Sequence, residues 1–267
     1  LKNILENKKS LDVFLYLNNL KPVPDFITKN YTPYKLNKRQ YFTVENGKKI
    51  DAIRIQINSW LEKGLINQSE SYYLITSLIN AVSKVSNISG TYGSFLKTWD
   101  KRSFKPIVLS APEIIKSDKN NISLNEDAEQ IVDNYNVDIL YLDPPYNSRQ
   151  YASNYFLLEL IAEGWFGKVL PEIYGHTGMR PYEHQKSLFS RKKEARDALH
   201  RIVDKAKAKY ILLSYNNEGL IHEEDIIKIL SSYGEMRVKT YSHKRYRSIG
   251  QDGSHSKTNE YLYILKT

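Results

Sequence analysis

In the first third of the chain, apolar residues recur at the spacing of a helix face. Over residues 1–20, Ile4, Leu5, Leu11, Phe14, Leu15 and Leu17 form one such stripe, and Pro22 and Pro24 end it. Residues 51–62 place Ile53, Ile57, Trp60 and Leu61 on one side, and residues 69–85 do the same with Tyr72, Tyr73, Leu74, Leu78, Ile79 and Val82. These read as two amphipathic helices joined by a turn at Gly64. From about Pro106 the pattern changes to short apolar runs alternating with helical segments. The runs 106–109, 137–142, 209–214, 237–241 and 261–265 read as strands, and 127–134, 155–162, 191–206 and 223–233 as helices. Strands in alternation with helices predict an α/β fold with a largely parallel sheet wrapped on both faces, its site formed by loops at the carboxyl ends of strands. The chain thus divides into a mainly helical region, 1–105, and an α/β region, 106–267.

Charge adds a partner class. Lysine and arginine outnumber aspartate and glutamate by 39 to 30, and 21 tyrosines supply flat faces that also hydrogen-bond, a mixture suited to a polyanion carrying bases. Residues 29–49 concentrate it, with Tyr31, Tyr34, Tyr41 and Phe42 among Lys29, Lys35, Lys38, Arg39, Lys48 and Lys49. After a glycine-containing loop, Lys97, Lys101 and Arg102 flank Trp99, and these three cations are candidate DNA contacts. The absence of cysteine excludes disulfides and thiolate metal sites, and the six histidines lack paired ligand spacing, so no metal is expected. With no bilayer-length apolar run and no signal peptide, a soluble cytoplasmic protein is expected, without a membrane partner.

One word carries chemistry. The apolar run Asp138-Ile139-Leu140-Tyr141-Leu142 leads directly into Asp143-Pro144-Pro145-Tyr146, and two prolines cannot continue a central strand. The chain must leave the sheet there with a stiff backbone. Methyl transfer to an exocyclic base amine requires the nitrogen lone pair, normally delocalised into the ring, to point at the methyl donor. A carboxylate from Asp143 and the main-chain carbonyl of Pro144 supply two acceptors for the amine protons, and Tyr146 offers a face for a base flipped out of the duplex. All four residues are therefore candidate catalytic residues. As alternatives, the aspartate caps a following helix and Pro-Pro-Tyr merely shapes a turn.

The sequence around this word, Tyr141-Leu142-Asp143-Pro144-Pro145-Tyr146-Asn147-Ser148-Arg149-Gln150-Tyr151, resembles the adenine-specific DNA methyltransferases that include the Dam methylases and many restriction-modification enzymes. Asn154-Tyr155, Leu157-Leu158-Glu159, Gly47 to Arg54, Gly90-Thr91-Tyr92-Gly93, Leu213 to Gly219 and Glu260-Tyr261-Leu262 extend the likeness over nearly the whole chain. The resemblance implies a Rossmann-like fold, S-adenosylmethionine as cofactor, double-stranded DNA as partner, a flipped adenine as acceptor, and action at the prokaryotic nucleoid. It assigns catalysis to Asp143 to Tyr146, and contact with the donor to Asp127 and Asp143. Arg149 and Tyr151 fall at the pocket mouth near DNA, and Lys244, Arg245 and Arg247 lie in a loop able to grip phosphates.

One departure matters. The family's strand ending in a Phe-x-Gly-x-Gly-like donor loop has no counterpart upstream of Leu20, and the first residue is Leu1. Gly90 with Gly93 and Gly250 with Gly253 lack the preceding strand and following helix such a loop needs. The expectation is a split enzyme: a sheet lacking its N-terminal strand segment, with the donor-binding segment elsewhere or on a second polypeptide. The alternative is a non-catalytic DNA-binding subunit of a methyltransferase or restriction-modification complex.

Overall fold

The computed structural model describes residues 10–167, 169–244 and 257–267. It comprises two compact units interleaved along the chain. One runs to Ser117 and takes in Ser153–Pro181; the other holds Asp118–Ala152 and Tyr182–Thr267.

The first unit is helical. It contains α1 (Ser10–Asn19), α2 (Phe26–Tyr31), α3 (Val44–Glu62), α4 (Gln68–Val85) and, after its first two residues, α6 (Tyr151–Glu163). The apolar stripes read from sequence form its core, where Leu17, Ile53, Ile57, Leu74, Leu78 and Val82 join Phe156, Leu157 and Leu160. Helix α3 begins at residue 44, earlier than the periodicity indicates, because the Thr43 side chain caps it by accepting from the Asn46 N–H. Asn67 and Glu70 form a reciprocal capping box on α4. Gly64 takes φ +64° at the turn between them.

Helix α2 has no sequence signal of its own; it stands where the pattern indicates a loop. The buried carboxylate of Asp51, on α3, accepts from the N–H groups of Asp25, Ile27 and Thr28 at 2.8, 2.8 and 2.9 Å, satisfying amides that a six-residue helix leaves orphaned.

Pro106 to Leu109 are not a strand. The alternation is real, since Ile107 and Leu109 are buried and Val108 is exposed, but side-chain amides take the place of a neighbouring strand. The Ile107 N–H donates to Asn46 Oδ1 at 3.0 Å. Asn18 both accepts from the Leu109 N–H at 2.8 Å and donates to its carbonyl at 2.9 Å. An asparagine side chain offers the same donor and acceptor as a peptide unit, so an extended segment can be satisfied without a ladder.

The second unit is a mixed α/β layer with a four-stranded sheet. Its elements are α5 (Ala128–Ile131), β1 (Asn136–Leu142), α7 (Ala195–Lys205), β2 (Lys207–Asn216), α8 (Glu223–Ser231), β3 (Glu235–Lys244) and β4 (Lys257–Lys266), with strand order β1-β2-β4-β3. The expectation of a largely parallel sheet is corrected: β1 and β2 are parallel, while β4 is antiparallel to both its neighbours, β2 and β3. Ile211, Leu213, Tyr263 and Leu265 present one face to Ala195, Leu199 and Val203 of α7 and to Ile226, Ile229 and Leu230 of α8.

The expectation of helices on both faces is corrected as well. The opposite face carries Ile139 and Tyr141, 57% and 56% exposed. Among the described residues β1 pairs only with β2, leaving its outer edge open.

Candidate active site

Because β1 and β2 are parallel, their carboxyl ends lie on the same edge of the sheet, and the loops that follow them meet. Asp143 follows β1 directly. It is exposed, and its carboxylate has no hydrogen-bond or ion-pair partner among the described residues. Pro144 has no N–H to donate, and its ring limits the directions available to the chain. Tyr146 is 40% exposed, while its main chain is tied down.

The ties come from two loops. On one side, the Leu220 N–H donates to the Tyr146 carbonyl at 2.9 Å. Leu220 sits in the loop after β2, where Asn216 Oδ1 accepts from the Glu218 N–H and the Asn216 carbonyl from the Gly219 N–H. A β-carbon on Gly219 would lie 2.1 Å from the Tyr215 ring, so only glycine lets this loop pack so closely. Asn217 fastens the same loop to β4 by accepting from the Asn259 N–H at 3.0 Å.

On the other side, the side-chain amide of Gln150 pairs with the main chain of Ser187, accepting from its N–H at 2.8 Å and donating to its carbonyl at 3.2 Å. Ser190 Oγ donates to the Arg149 carbonyl at 3.3 Å. Residues 146–150 are thus held from both flanks, and the exposed Asp143 precedes them in the same loop.

The other candidate residues are scattered. Arg149 is exposed within this loop, and Tyr151 begins α6. Asp127 caps the short α5 by accepting from the Glu129 N–H at 2.8 Å, so its observed contact is with its own helix. Lys97 and Lys101 are exposed. Arg102 is committed within the fold: its Nη2 donates to the Ile88 carbonyl at 2.5 Å, and its Nε stands 3.4 Å from Asp100. Lys244 ends β3, and Arg245 and Arg247 lie outside the described residues.

Sequence reasoning gave no role to Gln150, Ser187 or Leu220. The glycine in Asn216-Asn217-Glu218-Gly219 was the signal available for the second loop, and nothing local marks the first. Among the described residues no group of three or more histidine, aspartate or glutamate side chains is placed to hold a metal ion, and no helix is long and apolar enough to cross a membrane.

With this loop in view, comparison with known proteins is decisive. The family model of D12 class N6 adenine-specific DNA methyltransferases matches residues 6–229. The chain belongs to this family. Its sheet and flanking helices agree with the α/β methyltransferase architecture. It is 45% identical over 244 residues to the type II methyltransferase M.FokI of Planomicrobium okeanokoites, an alignment covering 90% of this chain and 37% of that protein. The modification methylase StsI of Streptococcus sanguinis is 40% identical, covering 87% and 36%, and the type II methyltransferase M.NlaIII of Neisseria lactamica is 35% identical, covering 99% and 80%. The chain therefore spans little more than a third of the first two relatives. No solved structure matches it.

Proposed function

We propose that this D12-family chain carries the target-base half of a site-specific DNA methyltransferase, which modifies the exocyclic amine of an adenine flipped from duplex DNA. The observation that carries the reading is the loop at the end of β1. An exposed carboxylate without a partner among the described residues, Asp143, and the Pro144 carbonyl come shortly before an exposed tyrosine, Tyr146, whose main-chain carbonyl accepts from Leu220. Asp143 and Pro144 each accept one amine hydrogen bond, which turns the nitrogen lone pair out of conjugation. Tyr146 stacks on the flipped base and holds it in register. Forming the new carbon–nitrogen bond would break the methyl group's bond to the donor sulfur, leaving the electron pair on sulfur, and the proton the amine then sheds would pass to the Asp143 carboxylate or to water.

Bound S-adenosylmethionine supplies an electrophilic sulfonium methyl. The residues present fit this group in part: Asp143 is free to face it, while the sequence contains no glycine loop to cradle it. We therefore place the donor-binding segment outside these 267 residues. The exposed Ile139 and Tyr141 support that reading, since a parallel strand pair ordinarily has both faces covered.

The test is methyl transfer from labelled S-adenosylmethionine to mixed duplex DNA, by the chain alone and with the donor-binding segment restored. Transfer only in the second case, abolished by Asp143→Ala, is the expected result. Tight donor binding and transfer by the chain alone would sink the split arrangement. Intact DNA binding with no transfer in either case would point to a non-catalytic DNA-binding subunit.

A further inference from the structure

The hairpin Tyr174 to Met179, in the helical unit, has no part in the target-base loop. Tyr174 and Met179 exchange both main-chain hydrogen bonds, at 2.8 and 3.0 Å. Between them Gly175 and Gly178 adopt φ of +68° and +73°, a region side chains rarely enter. The tip is stapled from beneath. Arg39 donates through Nε to the His176 carbonyl at 3.0 Å, through Nη2 to the Gly175 carbonyl at 2.9 Å, and through Nη1 to the Asn30 carbonyl at 3.0 Å. The Tyr31 hydroxyl donates to the Gly178 carbonyl at 2.7 Å, and the His176 ring rests on Phe95 with centroids 5.1 Å apart.

A guanidinium shared among three carbonyls leaves this turn ordered before any ligand arrives, so binding need not order it. Cations cluster close by in sequence: Lys35 and Lys38 precede Arg39 in its loop, and Lys97 lies two residues past Phe95. All three are exposed and none forms an ion pair among the described residues.

We propose that the Tyr174 to Met179 hairpin is a base-reading finger for duplex DNA, with His176 and Thr177 meeting base edges while Lys35, Lys38 and Lys97 neutralise phosphates. The proposal rests on the DNA methyltransferase reading above. A tight turn closed by the single Tyr174–Met179 bridge is narrow enough to enter the major groove, and the tip carries suitable chemistry there. Neutral imidazole presents one donor and one acceptor, and threonine adds a hydroxyl and a methyl group.

The test uses the full-length protein on a pool of mixed-sequence duplexes, with methylated sites read by sequencing, and on one random-sequence duplex titrated across a range of salt. In His176→Ala/Thr177→Ala, and more mildly in Thr177→Val, which keeps the shape of the tip, preference for the target over random sequence falls at least about tenfold, the size of one lost base contact. In Lys35→Gln/Lys38→Gln, binding weakens uniformly across sequences, and the slope of log affinity against log salt falls by about 2, roughly one unit per phosphate contact.

Unchanged sequence preference in the tip variants overturns the finger, and an unchanged salt slope overturns the phosphate grip. Asp143→Ala, run in parallel, separates the two levels. If it abolishes transfer while the tip variants keep their preference, only the finger fails; if it leaves transfer intact, the underlying reading fails.

Discussion

Replacing Gly219 by alanine tests whether the loop after β2 positions Tyr146. The added β-carbon would stand 2.1 Å from Tyr215 Cε1, whereas ordinary van der Waals contact begins near 3.4 Å, so something must retreat by more than an ångström. The ring cannot do so easily. Tyr215 is buried in the core beneath the sheet, and its hydroxyl accepts from the Ile221 N–H at 3.2 Å. The loop must therefore lift, carrying Leu220 away from the Tyr146 carbonyl. Overpacking of this kind costs about 1–3 kcal/mol, which for a chain of this size lowers Tm by about 2–10 °C. Catalysis should suffer more than stability, because misplacing a reacting group by about 1 Å can cost on the order of a hundredfold in rate. The assay is single-turnover methyl transfer by the full-length protein at saturating DNA and donor, beside thermal unfolding. A Gly219→Ala protein that melts a few degrees lower yet transfers methyl at the parent rate would refute the positioning argument.

Gln150→Ala removes the paired bonds to Ser187, and a rate loss of up to about thirtyfold with DNA affinity retained is expected, each of the two lost hydrogen bonds being worth about 1 kcal/mol; parallel rate and binding measurements check it. Arg54 is buried and donates to the carbonyls of Ile161, Ala162 and Glu163 at the end of α6, and burial brings its guanidinium down to about 10. Arg54→Met should destabilise the protein by about 2–4 kcal/mol in a denaturant titration, since those carbonyls lose their donor. The hydrogen bond from Arg201 holds Glu129 below the ordinary carboxylate range. A depressed folded value means the stabilisation is present above the unfolded carboxylate pKa and is lost as pH falls through the lowered one. Glu129→Gln should therefore flatten the acid-side decline in Tm, and an unchanged profile would remove Glu129 from the account.

The features legible in sequence are those fixed by neighbours along the chain. Helix α4 shows its apolar period and its Asn67 and Glu70 cap within eighteen residues of each other, and β1 announces itself by an apolar run stopped by Pro144 and Pro145. Asp143 and Tyr146 could be singled out as candidates because the stiff turn, the carboxylate and the ring are contiguous.

Tertiary structure decided whatever depends on a partner distant in sequence. Residues 106–109 alternate as a strand does, yet Asn18 and Asn46 satisfy them, and no local pattern reveals that a side-chain amide will occupy the place of a strand. The direction of β4 between β2 and β3 is a pairing choice made across the fold. The charge of Arg102 is visible in sequence, while the Ile88 carbonyl that engages it is not. The same reason hides the clamp on the loop after β1: Gln150 and Ser187 are 37 residues apart, and their hydrogen bonds exist only once the chain has brought them together.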